Sequence, residues 1–397
     1  MSARVLIIGA GAVGTVTTHK CAQFPEYFSE ICLASRTLAK CEAIAKQLKR
    51  PIKTEQVNAD SVPELCKLID KFKPDLLINV ALPYQNLSIM DACLEKGVHY
   101  VDTACYEPLN DSNFSYKWQW PYHDRYKSAG IMGLLGCGFD PGVTNVFVAY
   151  AKKHYFDTIE TLDILDCNGG DHGLPFATNF NPEINLRELD NHGRYWDNNK
   201  WVTIPAMSIK QSFNFEEVGP KDMYLIYHEE LETITKHFPE IKRARFWMTF
   251  GESYIMHLKA FKNVGLTSIE PIDYQGQKIV PIQFLKALLP DPGSLGPRTK
   301  GKTNIGCIIT GIKNGKRSTH YIYQICDHQE CYKETFSQGV AYTAGVPPAM
   351  GAALIADKTW LQAGVFNCEQ LNPDPFMEVM AKFGLPWKSV PFNELAN

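Results

Sequence analysis

The chain has 397 residues, more than one hydrophobic core usually serves, so at least two domains are expected. Apolar residues make up 45% and charged residues 21%, a globular balance, and a formal net charge of −3 gives no reason to expect nucleic acid or a membrane as partner. No secretory leader and no uninterrupted apolar run of bilayer length are expected, and 12 cysteines without a Cys-x-x-Cys pair fit reduced thiols in a cytoplasmic protein.

The first element is the apolar run Val5 to Ile8, which leads directly into Gly9, Ala10, Gly11, Ala12, Val13 and Gly14 and then a helical segment. Strand, glycine turn and helix in that order predict a dinucleotide pyrophosphate site. Gly9 permits the turn, Gly11 lets the backbone approach the phosphates, and Gly14 lets helix and strand pack closely. The N–H groups at the start of the helix, around Ala12 and Val13, receive the anion.

The second strand, Ile31 to Ala34, ends in Ser35, Arg36 and Thr37 with no carboxylate. An NAD site normally places an acid there for the ribose 2′-hydroxyl. A guanidinium flanked by two hydroxyls suits a 2′-phosphate instead, so the predicted cofactor is NADP(H). A solvated loop is the alternative role for Arg36.

Helical signals follow from Cys41 to Leu48, then a short strand ending near Val57 to Asp60, and a helix from Ser61 to Phe72 with a capping serine and Glu64 three residues on. Strand Asp75 to Ala81, helix Gln85 to Lys96, and strands His99 to Asp102 and Ile131 to Leu135 complete an alternation that predicts an α/β Rossmann domain, a doubly wound parallel sheet, over residues 1–145. Ala59 and Asp60, Asn79, Val80, Ala81 and Leu82, and Thr103 and Ala104 are the further cofactor-lining positions. The aromatic segment Tyr116 to Tyr126 reads as cover for this domain or a subunit contact.

Past Asp140-Pro141-Gly142 the pattern changes. Thr161 to Cys167, Phe246 to Gly251 and Ile305 to Ile312 read as strands, and Asn314-Gly315 as a hairpin turn. Residues 146–334 are expected to form a second α+β domain with a mixed, mainly antiparallel sheet, binding substrate and joining two subunits of a homodimer. Residues 335–397 are expected to be helices, punctuated by Pro347-Pro348, that pack back on the first domain. The cluster Cys326 to Cys331 lacks a second ligand pair for zinc, so no metal is expected; it reads as a strand end followed by a helix start. Lys302 lacks the upstream glycines of a phosphate loop.

The chain resembles the saccharopine dehydrogenase-like reductases, and within them the carboxynorspermidine/carboxyspermidine dehydrogenase family of bacterial polyamine synthesis. The resemblance rests on Gly9 to Gly14, Ser35 to Thr37, Ala81 to Tyr84, Val101 to Tyr106, Gly136 to Gly142 and Gly345 to Pro348, in family order along nearly the whole chain. It implies a reductive condensation in which an amine and an amino-acid semialdehyde form an imine that NADPH reduces. The aldehyde would be aspartate β-semialdehyde and the amine a diamine, putrescine or 1,3-diaminopropane. Two other readings are a saccharopine-type reductase using an amino acid as the amine, and a non-catalytic NADP(H)-binding regulatory protein.

Imine formation needs groups that exchange protons near neutrality beyond the carboxyl ends of the strands. Tyr84, Asp102 and Asp140 are the candidates there. Their alternative roles are a stacking wall, a backbone or ribose contact, and a helix cap. Cys137, Arg187, Arg245 and Glu183 are the substrate-binding candidates. The two arginines would take the aldehyde's carboxylate and Glu183 the distal ammonium of the diamine; in saccharopine-forming relatives, the resemblance implies an arginine in place of Glu183. Cys137 as packing, the arginines as surface ion pairs, and Glu183 as the opening of a helix are the alternatives.

Overall fold

The computed structural model describes residues 2–109, 114–393 and 395. Its first sheet has seven parallel strands in the order Gly364–Asn367, Met132–Leu135, His99–Asp102, Leu76–Asn79, Ala3–Ile8, Phe28–Ser35 and Lys53–Gln56. The direction of strand addition reverses beside Ala3–Ile8, and this opens the crevice where doubly wound sheets bind nucleotides. Strands Ala3–Ile8 and Leu76–Asn79 are buried almost throughout because helices cover both faces, which is why they read as continuous apolar runs.

The second sheet has nine strands. Arg243–Thr249 and Thr158–Asn168 run parallel at its centre; the flanking pairs are antiparallel, including the long hairpin Lys302–Lys313 and Lys316–Asp327. Asn314 and Gly315 both take positive φ at its turn, 50° and 74°, as that dipeptide predicts. Alternation along Thr158–Asn168 sends Leu162 and Ile164 to the large core shared with the nucleotide domain. Leu165 and Cys167 go to a separate aromatic cluster with Trp247, Tyr321 and Tyr323 on the far face.

The last part of the chain departs from an all-helical tail. Gly364–Asn367 is the seventh strand of the nucleotide sheet, while Trp387–Pro391 joins the second sheet beside Lys316–Asp327. Between the sheets, helix Gly339–Ala356 runs straight through Pro347 and Pro348 and packs on helix Ala12–Gln23. A Cβ on Gly345 would sit 2.7 Å from Val16, and Thr17 Oγ1 donates to the Gly345 carbonyl at 2.8 Å, so the two backbones touch. By length and composition Gly339–Ala356 is apolar enough to cross a membrane, contrary to the expectation that no such stretch exists, yet 83% of it is buried within the fold.

The hairpin strands between Gly193 and Ile226 and the helices Glu252–Asn263 and Pro281–Leu288 were not anticipated. Asp327 caps helix His328–Thr335 by accepting from Gln329 and Glu330 N–H, so Cys326 to Cys331 is a strand end and helix start. All 12 cysteines are free and buried.

Candidate active site

The glycine turn meets its steric requirements. A Cβ on Gly9, where φ is 119°, would lie 2.5 Å from the Val80 carbonyl oxygen, and one on Gly14 would overlap the Gly9 carbonyl. A Cβ on Gly11 would meet nothing within 4 Å, because it points into the open crevice. Gly11 is also the N-cap of Ala12–Gln23, so the free N–H groups of Ala12 and Val13 face that space. These residues fit a dinucleotide. At the end of Phe28–Ser35, Arg36 is exposed and forms no ion pair with the described residues, while Ser35 Oγ and Thr37 close a small turn beneath it.

Other predicted cofactor positions have structural partners. Asn79 is saturated: its Nδ2 donates to Asn86 Oδ1 and Tyr100 OH at 2.9 and 3.0 Å, and its Oδ1 accepts from Ala81 N–H. It shapes the Val80-Ala81-Leu82 bend and offers no free group to a ribose. Ala59 and Ala104 contribute carbonyls to Ser88 and Asn86 respectively. Asp60 is exposed beyond the third strand, and Thr103 is partly exposed at the sheet edge.

Asp102 is not positioned for proton transfer. Its Oδ2 accepts from Tyr100 OH and Gln119 Nε2, and its Oδ1 from Gly136 N–H at 2.7 Å. Burial pushes its pKa up to about 7 against these hydrogen bonds. It braces the Gly136 turn from inside the sheet. Cys137 is likewise internal: its Sγ meets the Pro347 carbonyl at 3.3 Å against the long C-terminal helix, away from any substrate space.

Three substrate candidates are also already engaged. Arg187 pairs with Glu107 at 2.6 Å and donates to the carbonyls of Pro108 and Leu109. Arg245 pairs with Asp163 at 2.5 Å on the far face of the second sheet, because odd positions of Thr158–Asn168 point away from the nucleotide domain. Buried Glu183 accepts from Tyr84 OH (3.2 Å), Gln283 Nε2 (2.5 Å) and Lys286 Nζ (2.8 Å). With its charge matched by Lys286, it ties the nucleotide domain to helix Pro281–Leu288 and is not available to an ammonium. Tyr84 is held in the same contact, its ring beside the Arg187 guanidinium, and burial raises its pKa.

Asp140 does stand in a reactive setting. The loop Gly136 to Gly142 is drawn tight: Gly138 and Phe139 carbonyls accept from Val143 and Thr144 N–H, and Gly142, at φ 130°, has no room for a Cβ. Gly142, not Asp140, occupies the N-cap of helix Val143–His154. Asp140 thereby comes near Asp166 of the central strand Thr158–Asn168, and each carboxyl feels the other. Burial and the neighbouring Asp166 hold the Asp140 carboxyl well above its usual range. Burial likewise pushes Asp166 up to about 6, with opposition from His228.

Around this pair lie groups that sequence reasoning missed. His228 follows strand Gly219–Ile226, Glu230 begins helix Glu230–His237, and Glu188 comes from helix Pro182–Asp190. His228 Nδ1 meets Glu230 Oε2, its Nε2 lies 3.6 Å from Glu188 Oε1, and its ring stacks on Phe246 at 4.2 Å. Burial opposes the imidazolium, yet Glu230 and Glu188 outweigh it and keep the His228 pKa raised. Burial also pushes Glu188 up to about 7. Two carboxylates, Asp163 and Asp166, inside the otherwise apolar run Leu162 to Cys167 and the string His228-Glu229-Glu230 were the available signals.

Asp166 lines a cavity of about 270 Å³ with Asn168, Thr178, Asn185, Met248, Tyr254 and Val340 among its walls. Val340 is in the first turn of helix Gly339–Ala356, and Ser337 just before that helix donates to the Ala12 carbonyl at 3.2 Å. The cavity thus reaches the helix whose approach segment contacts the glycine turn. Among the described residues no cluster suited to a metal ion occurs.

A dinucleotide crevice at the switch point of a parallel sheet, together with a cavity bearing Asp166 on a second sheet, is the arrangement of a two-domain nicotinamide-nucleotide oxidoreductase. Residues 5–134 match the saccharopine dehydrogenase NADP binding domain, and residues 138–385 match the saccharopine dehydrogenase C-terminal domain. The chain belongs to the saccharopine dehydrogenase family. It is 54% identical over 389 residues to carboxyaminopropylagmatine dehydrogenase of Synechocystis sp., covering 98% of each chain. It is 43% identical to carboxynorspermidine synthase of Vibrio cholerae, covering 96% of each. The solved structure of apo saccharopine dehydrogenase (L-Glu forming) from Saccharomyces cerevisiae shares the fold, with a TM-score of 0.75 at 16% identity over 99% of this chain and 100% of that one. These relatives make the chain a polyamine-related, nicotinamide-dependent oxidoreductase.

Proposed function

We propose that this protein catalyses the NADPH-dependent reductive condensation of L-aspartate β-semialdehyde with a primary amine that carries a second cationic group, either agmatine or a short diamine. The observation that carries this reading is the Asp140–Asp166 pair, two neighbouring carboxyls of which Asp166 lines the cavity of the second domain. The relatives' names support the amine class: one is named for a carboxyaminopropyl derivative of agmatine, another for a carboxy derivative of norspermidine. A carboxyaminopropyl group on nitrogen is what aspartate semialdehyde leaves once its imine has been reduced.

The chemistry sets tasks that the pair can perform. An incoming ammonium must lose a proton before its nitrogen attacks the aldehyde, and the Asp166 carboxylate accepts it. The carbinolamine must lose hydroxide as water, and the protonated Asp140 carboxyl donates for that step. The pair then holds one proton again, ready for the next turnover. Ala12 and Val13 N–H groups hold the pyrophosphate and Arg36 the 2′-phosphate of NADPH, which supplies hydride to the imine carbon when bound. Asn168 and Thr178 line the same cavity and offer neutral polar groups to the semialdehyde.

An amino acid as the amine is disfavoured because Arg187 and Arg245, which would hold its carboxylate, are committed to Glu107 and Asp163. The test is NADPH oxidation with aspartate semialdehyde and, in parallel, agmatine, putrescine, 1,3-diaminopropane and glutamate. Turnover with one or more of the polycationic amines and little with glutamate is expected. Turnover with none of them, or preferential use of glutamate, overturns the proposal.

A further inference from the structure

The acid cluster extends beyond the Asp140–Asp166 pair. Glu230 has a fully buried side chain, and the Glu188 side chain is 8% exposed. Both glutamates meet the one imidazole of His228, Glu188 Oε1 only at 3.6 Å, while Glu230 Oε1 and Asp140 Oδ2 are buried without a hydrogen-bond partner. The field at Asp140 includes Asp166, Glu230 and Glu188 on the negative side and His228 on the positive. Unpaired oxygens in a desolvated site carry a large penalty that a second cation would remove. Asp166 and Asn185 of this neighbourhood line the cavity.

Resting on the reading of the chain as an amine-aldehyde reductase, we propose that Glu188 and Glu230, bridged by His228, hold the distal ammonium or guanidinium of the amine substrate while its reacting nitrogen lies at Asp140 and Asp166. The stacking of His228 on Phe246 fixes the imidazole, so both glutamates are held in place before the ligand arrives. A carboxylate at the distal end of the amine would be repelled, which gives the site a rejecting as well as an attracting element. Glu183, which a sequence argument selects for this task, is occupied by Lys286 and lies outside the cluster.

Calorimetric titration of the protein with putrescine, agmatine and n-butylamine tests the site directly, since butylamine matches putrescine in length and lacks the distal charge. Putrescine or agmatine should bind about tenfold to a hundredfold more tightly than butylamine, the range expected of hydrogen bonds to charged groups. Glu188→Gln and Glu230→Gln should shrink that ratio to about twofold or less, and the same ratio in kcat/KM should fall with it. Equal affinity of the wild-type protein for butylamine and putrescine overturns the proposal without needing a variant that folds. Selective binding without turnover supports the cation site and overturns the proposed reaction. Turnover without preference for a second cation supports the reaction and overturns the site.

Discussion

Arg36 is exposed at the mouth of the crevice, and no described acid neutralises it. A 2′-phosphate would gain a charge-assisted contact there, so Arg36→Ala should raise the KM for NADPH about tenfold to a hundredfold and leave that for NADH nearly unchanged. Equal effects on both cofactors would remove Arg36 from cofactor discrimination. At the acid pair, Asp140→Asn should lower kcat by about 10² or more while NADPH binding stays near wild type. Because the accepting form of the pair is the carboxylate and Asp166 is pushed up to about 6, kcat/KM for the amine should fall as pH drops through about 6. A pH profile flat across that range would show that Asp166 does not titrate in catalysis. Asp140 was legible in the sequence because it follows a strand at the reactive edge. Asp166 was not, because a carboxylate inside a strand gains its meaning from the loop that folds over it.

Elements make the same point about glycine. Gly11 and Gly14 belong to one motif, but a Cβ at Gly11 enters open space while one at Gly14 strikes the Gly9 backbone. Gly11→Ala should therefore keep its melting temperature and lose cofactor affinity, whereas Gly14→Ala should lose both; calorimetry and cofactor titration separate the two outcomes. Asp102 joins strand His99–Asp102 to the Gly136 turn by accepting three hydrogen bonds. Asp102→Asn turns one acceptor into a donor facing donors and should cost about 1–3 kcal/mol of folding stability. Since burial raises the folded-state pKa of Asp102 to about 7, its favourable contribution is fully present below its unfolded pKa and is lost as pH rises through about 7. The deficit of the variant should thus be smaller at about pH 8 than at about pH 5 in thermal melts. Strands such as Met132–Leu135 were readable because burial on both faces makes them apolar without interruption. The hairpin Gly193–Asp197 and Lys200–Ile204 was not, since its half-exposed residues mix aromatic and charged types without alternation.

Across the whole molecule, the two domains are joined by polar contacts as well as by the long C-terminal helix. Glu183 meets Tyr84 on one side and Gln283 and Lys286 on the other, while Glu229 accepts from Cys105 N–H and Glu232 from Tyr116 N–H at the nucleotide-domain edge. Glu183→Gln should lower the melting temperature, with a cost of about 1–3 kcal/mol tempered by the partial exposure of Lys286, and should leave the KM for the amine unchanged. A large rise in that KM with the melting temperature preserved would return Glu183 to the substrate site. Sequence order carried the Rossmann alternation and the return of the tail to the nucleotide domain. It did not carry the facing of side chains across domains: Arg187 and Arg245 have the right chemistry for a carboxylate, but one is clasped by the loop at Pro108 and the other points to the opposite side of its sheet.

The seventh strand, Gly364–Asn367, pairs with Met132–Leu135 across more than half the length of the chain. During synthesis, the edge of Met132–Leu135 has emerged long before its neighbour exists, and an unpaired apolar edge invites pairing with other chains. His123 Nδ1 and Trp120 Nε1 reach the Val365 carbonyl and Asn367 side chain, so the aromatic cover also settles only when that late strand arrives. The nucleotide domain is first in sequence but cannot be finished first. A nascent chain halted before Gly364 should be more easily cleaved by protease near Tyr116 to Tyr126 than one released after Asn367, making the arrival of four distant residues the event that seals the opening third of the protein.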